Sequence, residues 1–270
     1  MHGHNNVRLS RTHWLRLLSG FVAIFALFQW IGTALRSDRG QAGVIVALTV
    51  VAATLTAQRW LHGGTLLEAG RSLGLGIPRL RGLASACASC ASLAIAQTAV
   101  VIASGAVVTY DATTIWLMAG LFAQAGVAEE TLFRGYLFGD LRRRFPFWRA
   151  WFASMIPFVA VHLFLFITMP WPVAMASVLL AATTSIPLSH LYELGGRTIW
   201  APALLHFTIQ SVPKIFIPAD SARLTFPLTW MAVCGTLPLL VLLIRVRPTE
   251  GGIPVLHGTR PPSRSSARSS

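Results

Sequence analysis

The sequence contains few charged residues, and very few of them are acidic. Charged residues make up 11% of the 270 residues, only nine residues are Asp or Glu, and Lys214 is the single lysine. Soluble domains usually carry about 25% charged residues, whereas here 54% of the residues are hydrophobic and the mean hydropathy is +0.62. This composition excludes an ordinary water-soluble domain and indicates a membrane protein.

Cysteine is also scarce, which excludes a disulfide framework. The three cysteines are Cys87, Cys90 and Cys234, and disulfides are not expected in this setting. The spacing of Cys87 and Cys90 can bind metal, but a structural zinc site needs four ligands and no further ligands follow nearby. We interpret this pair as small residues that allow close helix packing.

The alternating pattern of β-strands is absent, and long apolar runs take its place. A bilayer core is crossed by about 20 helical residues. We therefore predict an all-α, polytopic membrane helical bundle with about eight transmembrane helices, near 15–35, 41–60, 83–108, 114–138, 150–169, 172–192, 198–217 and 226–244. Residues 1–247 would form a single domain with its catalytic core at about 115–215. The Gly-, Pro-, Ser- and Arg-rich segment 248–270 is predicted to be a disordered cytoplasmic tail.

The net charge of +13 is explained by where the basic residues fall. Of the 22 Lys and Arg residues, 17 lie in segments that are inside if the N-terminus is inside, as the positive-inside rule expects. We predict a multi-pass protein with both termini cytoplasmic and membrane lipid, not nucleic acid, as the partner of the basic surface. High Ala and Arg content with one lysine suggests a bacterial inner membrane.

Two adjacent carboxylates stand in the apolar stretch near 114–138. Glu129 and Glu130 are followed by Arg134, four residues after the second. Ionisable residues within membrane spans are rare and usually functional. Because residues i and i+4 share a helix face, we predict an ion pair between Glu130 and Arg134. Glu129 points about 100° away, has no partner in its own segment, and is available for chemistry.

Two histidines lie in later spans. His162 has Phe158 one turn before it, and His206 has Gln210 one turn after it. Counted from the arginines at the predicted inside ends of their spans, Glu129, His162 and His206 lie about 14–20 Å from the same membrane face, at 1.5 Å per residue. Three helices can therefore meet at one polar cavity that opens to the cytoplasm.

These side chains have the chemistry needed to hydrolyse a peptide bond. A carboxylate and an imidazole can hold and deprotonate one water molecule. A second imidazole and an amide NH2 group can stabilise the developing oxyanion. We therefore expect a peptide or protein substrate.

The three pairs of residues together resemble a known family. Their order and spacing are similar to the motifs of the CAAX protease and bacteriocin-processing (CPBP) family of intramembrane endopeptidases, also called type II CAAX prenyl endopeptidases. The resemblance covers roughly residues 115–215 and implies an eight-helix core. It also implies that Glu129 and His162 activate water and that His206 and residue 210 form the oxyanion site. Glu130, Arg134 and Phe158 would support them. Gln210 stands where the family usually has Asn.

Metal dependence and two other functions stay open at this stage. No cofactor is required by a glutamate mechanism, but Zn is an alternative, with His162, His206 and Glu129 as its three ligands. A catalytically silent immunity or scaffold protein of the same fold is a second function. A proton-coupled carrier is a third, because buried Glu, His and Arg also form proton relays.

Overall fold

A computed structural model of the protein describes residues 11–35, 37–108, 111 and 113–246, without the side chain of Pro213. The predicted tail at 248–270 lies outside these residues. The α-helices are α1 (Arg11–Ala34), α2 (Arg39–His62), α3 (Leu66–Ser72), α4 (Leu80–Ser104), α5 (Thr114–Leu121), α6 (Gly139–Arg142), α7 (Phe147–Ala160), α8 (Leu165–Thr168), α9 (Trp171–Leu194), α10 (Trp200–Ile215) and α11 (Thr225–Thr236).

Two π-helical stretches, Phe122–Glu129 and Thr131–Phe138, connect α5 to α6. Three 3-10 stretches, Val161–Phe164, Asp220–Ala222 and Leu237–Leu243, follow α7, precede α11 and follow α11. The sequence predicted one regular helix at 114–138, so the π turns are a departure from it. Such turns are uncommon and are found most often at functional sites.

The helices confirm an all-α, multi-pass membrane protein. Six helical stretches are long and apolar enough to cross a membrane, namely Arg11–Ala34, Arg39–His62, Leu80–Ser104, Phe147–Thr168, Trp171–Leu194 and Thr225–Leu243. The other two predicted spans also fall on helical chain. One contains the π turns, and the other, α10, has 16 residues, fewer than the roughly 20 that a full crossing needs. The count of eight therefore stays a prediction.

A short pair of strands was not expected from the sequence. β1 (Val107–Val108) pairs antiparallel with β2 (Phe216–Ile217), so that Val107 lies opposite Ile217. The predicted span 83–108 therefore ends as helix at Ser104 and turns through Gly105, whose φ of 59° suits glycine. The strands join the end of α4 to the end of α10.

Two apolar clusters form the interior. One gathers α1, α2, the chain from Ala128 to Leu141 and α7, with Phe133 and Tyr136 near its centre. The other gathers α4, α9, α10 and α11, with Leu205 and Trp230 near its centre. The predicted site residues lie where these clusters meet, because the glutamates belong to the first group of helices and α10 belongs to the second.

Candidate active site

Glu129, Glu130 and His162 lie on or beside irregular stretches of helix. Glu129 ends the first π-helical stretch, and Glu130 separates it from the second. Pro157 lies inside α7 and lacks the N–H that would continue the helical hydrogen bonds. Shortly after it the chain tightens into the 3-10 turn that carries His162. His206 lies in the middle of α10.

Glu130 is a buried carboxylate that accepts hydrogen bonds from two side chains, Arg134 and His206. Its side chain has no exposed surface, and its Oε1 accepts hydrogen bonds from Arg134 Nη1 at 3.0 Å and from His206 Nδ1 at 2.7 Å. Its Oε2 has no hydrogen-bond partner in the described part of the chain. The i,i+4 pair expected from the sequence is therefore present, and it also fixes the imidazole of α10.

Glu129 is the more accessible of the two carboxylates. Its side chain is 18% exposed, and its Oε2 lies 3.7 Å from His206 Nε2. The distance is too long for a direct hydrogen bond, so the carboxylate and the imidazole face each other without one. Glu129 has no partner in its own helix but does have one on α10.

His162 is held in one tautomer by the backbone. Its Nδ1 lies 2.7 Å from the carbonyl oxygen of Phe158. A carbonyl oxygen only accepts hydrogen bonds, so Nδ1–H must donate. In the neutral imidazole Nε2 then carries a lone pair. His162 is half-buried, so this nitrogen is suited to accept a hydrogen bond from a water molecule.

The ring of Phe158 is the common apolar contact of the site. It packs edge-on against the rings of His162 and His206, with ring centres 5.2 and 6.4 Å apart. The guanidinium of Arg134 lies 4.4 Å from the ring centre, a cation–π distance. Phe158 therefore brings the two histidines and the arginine together without adding a polar group.

Gln210 is half-buried one turn beyond His206 on α10. Its side chain makes no hydrogen bond to any of the described residues. Its role as an oxyanion donor therefore stays a prediction. The sequence also did not predict the bond between Glu130 and His206, because those residues are 76 positions apart and no local pattern links them.

The zinc alternative finds little support in the arrangement of side chains. Among residues 11–35, 37–108, 111 and 113–246, no group of three His, Cys, Asp or Glu side chains is placed to hold a metal ion. The Nδ1 atoms of His162 and His206 are both engaged in hydrogen bonds, which leaves Nε2 as the ring nitrogen of each that could bind a metal. His162, His206 and Glu129 are therefore not gathered as a metal site in this geometry.

Comparison with known families agrees with the motifs. Residues 111–212 match the model of the family described as type II CAAX prenyl endopeptidase Rce1-like. A comparison with curated proteins gave no match. The family match confirms the resemblance drawn from the sequence, and the matched segment carries all the candidate site residues.

Proposed function

We propose that this protein is an intramembrane endopeptidase that hydrolyses peptide bonds of membrane-associated or lipid-anchored substrates. The observation that supports it most directly is the contact of His206 with both Glu129 and Glu130. This contact lies within the Rce1-like segment, and members of that family are generally membrane proteases. Two carboxylates, an imidazole and the Glu130–Arg134 ion pair thus lie together inside a helical bundle, which supports the proposal.

Charge balance indicates how His206 works. Glu129, Glu130 and Arg134 together leave one negative charge in a largely buried site, and an unbalanced buried charge is costly. A proton on His206 neutralises it. Nδ1–H then donates to Glu130, and Nε2–H is available to the oxygen of a scissile carbonyl.

The proposed step uses four groups. Glu129 accepts a proton from a water molecule while His162 Nε2 accepts a hydrogen bond from the same water. The water oxygen adds to the carbonyl carbon, and His206 Nε2–H stabilises the oxyanion, with the Gln210 amide as a second donor. When the carbon–nitrogen bond breaks, the proton held by Glu129 goes to the leaving amine, so the products are a carboxylic acid and an amine.

The decisive experiment replaces the proposed base without changing its shape. Glu129→Gln in purified protein should abolish cleavage of a membrane-anchored peptide library while leaving the melting temperature close to that of the wild type. The matched control is Glu68→Gln, because Glu68 lies on the surface in a capping box that Gln can also form. Cleavage by Glu129→Gln at the wild-type rate would remove Glu129 from the mechanism.

A catalytically silent membrane protein is the second candidate, and one observation favours it. Gln210 replaces the family's usual Asn and makes no side-chain hydrogen bond to the described residues. On this alternative the buried ion pairs serve only to hold the helices together. It predicts that neither the wild type nor any variant at position 210 cleaves the library.

A further inference from the structure

A cavity lies at one end of the bundle, and none of the candidate active-site residues lines it. Its volume is about 1090 Å³. Its walls are α3 and the segment that follows it, the C-terminal half of α2, the end of α9 and the loop before α10. The chain that carries Glu129 reaches the cavity at Gly139 and Arg143, and Gly139, the nearer of the two, lies ten residues or about 15 Å further along.

Arginines dominate the polar part of this cavity. Arg71, Arg79, Arg143 and Arg197 line it, against one acidic residue, Glu193. Arg143 and Arg197 each have a carboxylate partner. Arg71 and Arg79 are exposed, and neither forms an ion pair with any carboxylate in the described part of the chain. The cavity therefore has an excess of positive charge that is not balanced by its own walls.

One of these arginines is held in an unfavourable backbone conformation. Arg197 has a φ of 63°, the single positive value among the described residues other than glycine. Glycine adopts this conformation without cost, but a residue with a Cβ rarely does. Two glycines, Gly195 and Gly196, stand immediately before it. Because glycine would adopt this conformation without strain, the presence of an arginine here points to a role for its side chain.

Hydrogen bonds join the segment after α3 to the chain between α9 and α10 in the wall of the cavity. The N–H of Arg79 donates to the carbonyl of Gly195 at 3.0 Å, and the N–H of Ile199 donates to that of Gly74 at 3.0 Å. The indole N–H of Trp200 donates to the same segment at 2.8 Å. The backbone that carries Arg79 and Arg197 is therefore fixed before a ligand binds, which lowers the entropic cost of binding.

The remaining wall is apolar and open to the surroundings. Leu66 and Leu67 on α3 are 58% and 63% exposed, and Ile77 is 95% exposed. A soluble anion would leave these side chains uncovered. A ligand with an anionic head and hydrocarbon chains would cover both parts of the cavity.

We propose that this cavity binds the headgroup of an anionic phospholipid. The guanidinium groups of Arg71, Arg79 and Arg197 would bind the phosphate, because the planar fork of arginine matches its oxygens. The acyl chains would lie along Leu66 and Ile77. The site is distinct from the candidate active site, and the proposal does not depend on peptidase activity.

The protein's own C-terminal segment is a poorer occupant. Val246 lines the cavity, and the chain continues for 24 residues beyond it. That segment contains four arginines and a single glutamate, Glu250. Its charge has the same sign as the cavity, so electrostatic repulsion opposes its entry.

Lipid retention by the intact protein tests the proposal. Native mass spectrometry would compare the wild type, Arg79→Gln, Arg197→Gly and the double variant, each with added phosphatidylglycerol or phosphatidylcholine. Phosphatidylglycerol should bind the wild type more tightly than phosphatidylcholine. Each substitution should weaken it about fivefold, which corresponds to about 1 kcal/mol for one arginine near a charged headgroup. The double variant should lose about 25-fold.

Two controls separate binding from folding. Arg81→Gln removes an exposed arginine two residues from Arg79 that does not line the cavity, and it should leave retention unchanged. Arg197→Gly relaxes the strained backbone, so its melting temperature should equal or exceed that of the wild type.

Three results would overturn the proposal. The first is equal loss of phosphatidylglycerol in Arg79→Gln and Arg81→Gln. The second is equal retention of phosphatidylcholine and phosphatidylglycerol by the wild type. The third is binding of glycerol 3-phosphate as tight as that of phosphatidylglycerol, which would make the occupant a soluble phosphate.

Discussion

At the scale of single residues, Glu130 determines the geometry of the candidate site. Its Oε1 binds both Arg134 and His206, which come from different apolar clusters. If this carboxylate were removed, the guanidinium would be left buried and unpaired, which usually costs about 3–5 kcal/mol. The same change would free the imidazole that faces Glu129. Removing this carboxylate is therefore expected to lower stability and to loosen the candidate site.

Gln210 provides a test of the oxyanion site. Gln210→Ala should lower the turnover number by about 10²–10³-fold, the usual loss for one such donor. Gln210→Asn should keep or raise it, because Asn is the residue usual in the family. The Michaelis constant should change little, since the donor acts on the transition state. Turnover of Gln210→Ala at the wild-type rate would reduce Gln210 to an interhelical contact.

The site was partly predictable from sequence because some of its contacts are local. Glu130 and Arg134 lie one helical turn apart, so helix periodicity alone predicts their ion pair. The packing of Phe158 beside His162 has the same origin. The bond from His206 to Glu130 was not predictable in this way, because it depends on how α10 packs against the π-helical chain. The hydropathy of a sequence identifies which segments are helices, but it does not indicate which helices pack against each other.

At the scale of helices, backbone contact between α2 and α5 depends on missing side chains. A Cβ at Gly43 would overlap the carbonyl oxygen of Gly120. Small residues at such positions let membrane helices approach closely. This contact places the start of the site-bearing chain directly against α2.

We expect Gly43→Ala to destabilise the protein by about 1–3 kcal/mol, because an added methyl group must push α2 and α5 apart. The control is Gly32→Ala on α1, where an added Cβ meets no atom within 4 Å. Melting temperatures of the two variants in the same detergent measure the difference. A melting temperature for Gly43→Ala that equals or exceeds that of Gly32→Ala would contradict the predicted close contact between α2 and α5.

Three helices are joined at one end of the bundle by Asp140 on α6. Its buried carboxylate accepts hydrogen bonds from His13 on α1 at 2.9 Å and from His62 on α2 at 2.8 Å, and from Arg143 at 3.1 Å. Burial by itself would raise the pKa of Asp140. The bonds from both histidines and the charge of Arg143 outweigh burial and hold its pKa well below the usual range.

This lowered pKa makes a pH-dependent prediction. The stabilisation by Asp140 is complete above its unfolded-state pKa of about 3.9 and is lost as the pH falls towards the lower folded-state pKa. Asp140→Asn should cost about 3 kcal/mol at pH 7. The difference in the free energy of unfolding between Asp140→Asn and the wild type should shrink by about 1 kcal/mol between pH 5 and pH 3.

Thermal melting across this pH range measures this difference for Asp140→Asn. Asp220→Asn is the control, because the Asp220 side chain is 89% exposed, and it should match the wild type throughout. A difference for Asp140→Asn that stays constant down to pH 3 would show that the carboxylate is not held in its charged form by these partners.

At the scale of the whole molecule, contacts between segments far apart in the sequence join the helices at both ends of the bundle. At one end, Asp140 binds His13 and His62, and Arg142 lies 3.1 Å from Glu193. At the other end, the two short strands pair, and the Trp116 indole donates to Asp38 at 3.2 Å.

The all-α architecture and the positions of the long apolar helices were predictable because a bilayer requires long apolar segments, whereas the count of eight crossings stays a prediction. The exact ends of those helices were not predictable. Val107 and Ile217 were expected within spans, yet they form a strand pair whose two-residue length leaves no alternating pattern to detect. The contacts group the segments near 13, 62, 140 and 193 at one end and those near 38, 108 and 217 at the other, while the side that faces the cytoplasm stays a prediction.

We therefore expect an even number of crossings with both termini in the cytoplasm. The excess of basic residues on one side predicts this orientation, and the end contacts require the joined segments to lie on the same side. Reporter fusions placed after Arg39 and Asp111 should report an outside location, and fusions after Arg144 and Ser270 an inside one. An outside signal at Ser270 together with an inside signal at Arg144 would mean an odd number of crossings after α6. In that case α10, with only 16 helical residues, would be the first helix to reassign as a segment that enters the membrane without crossing it.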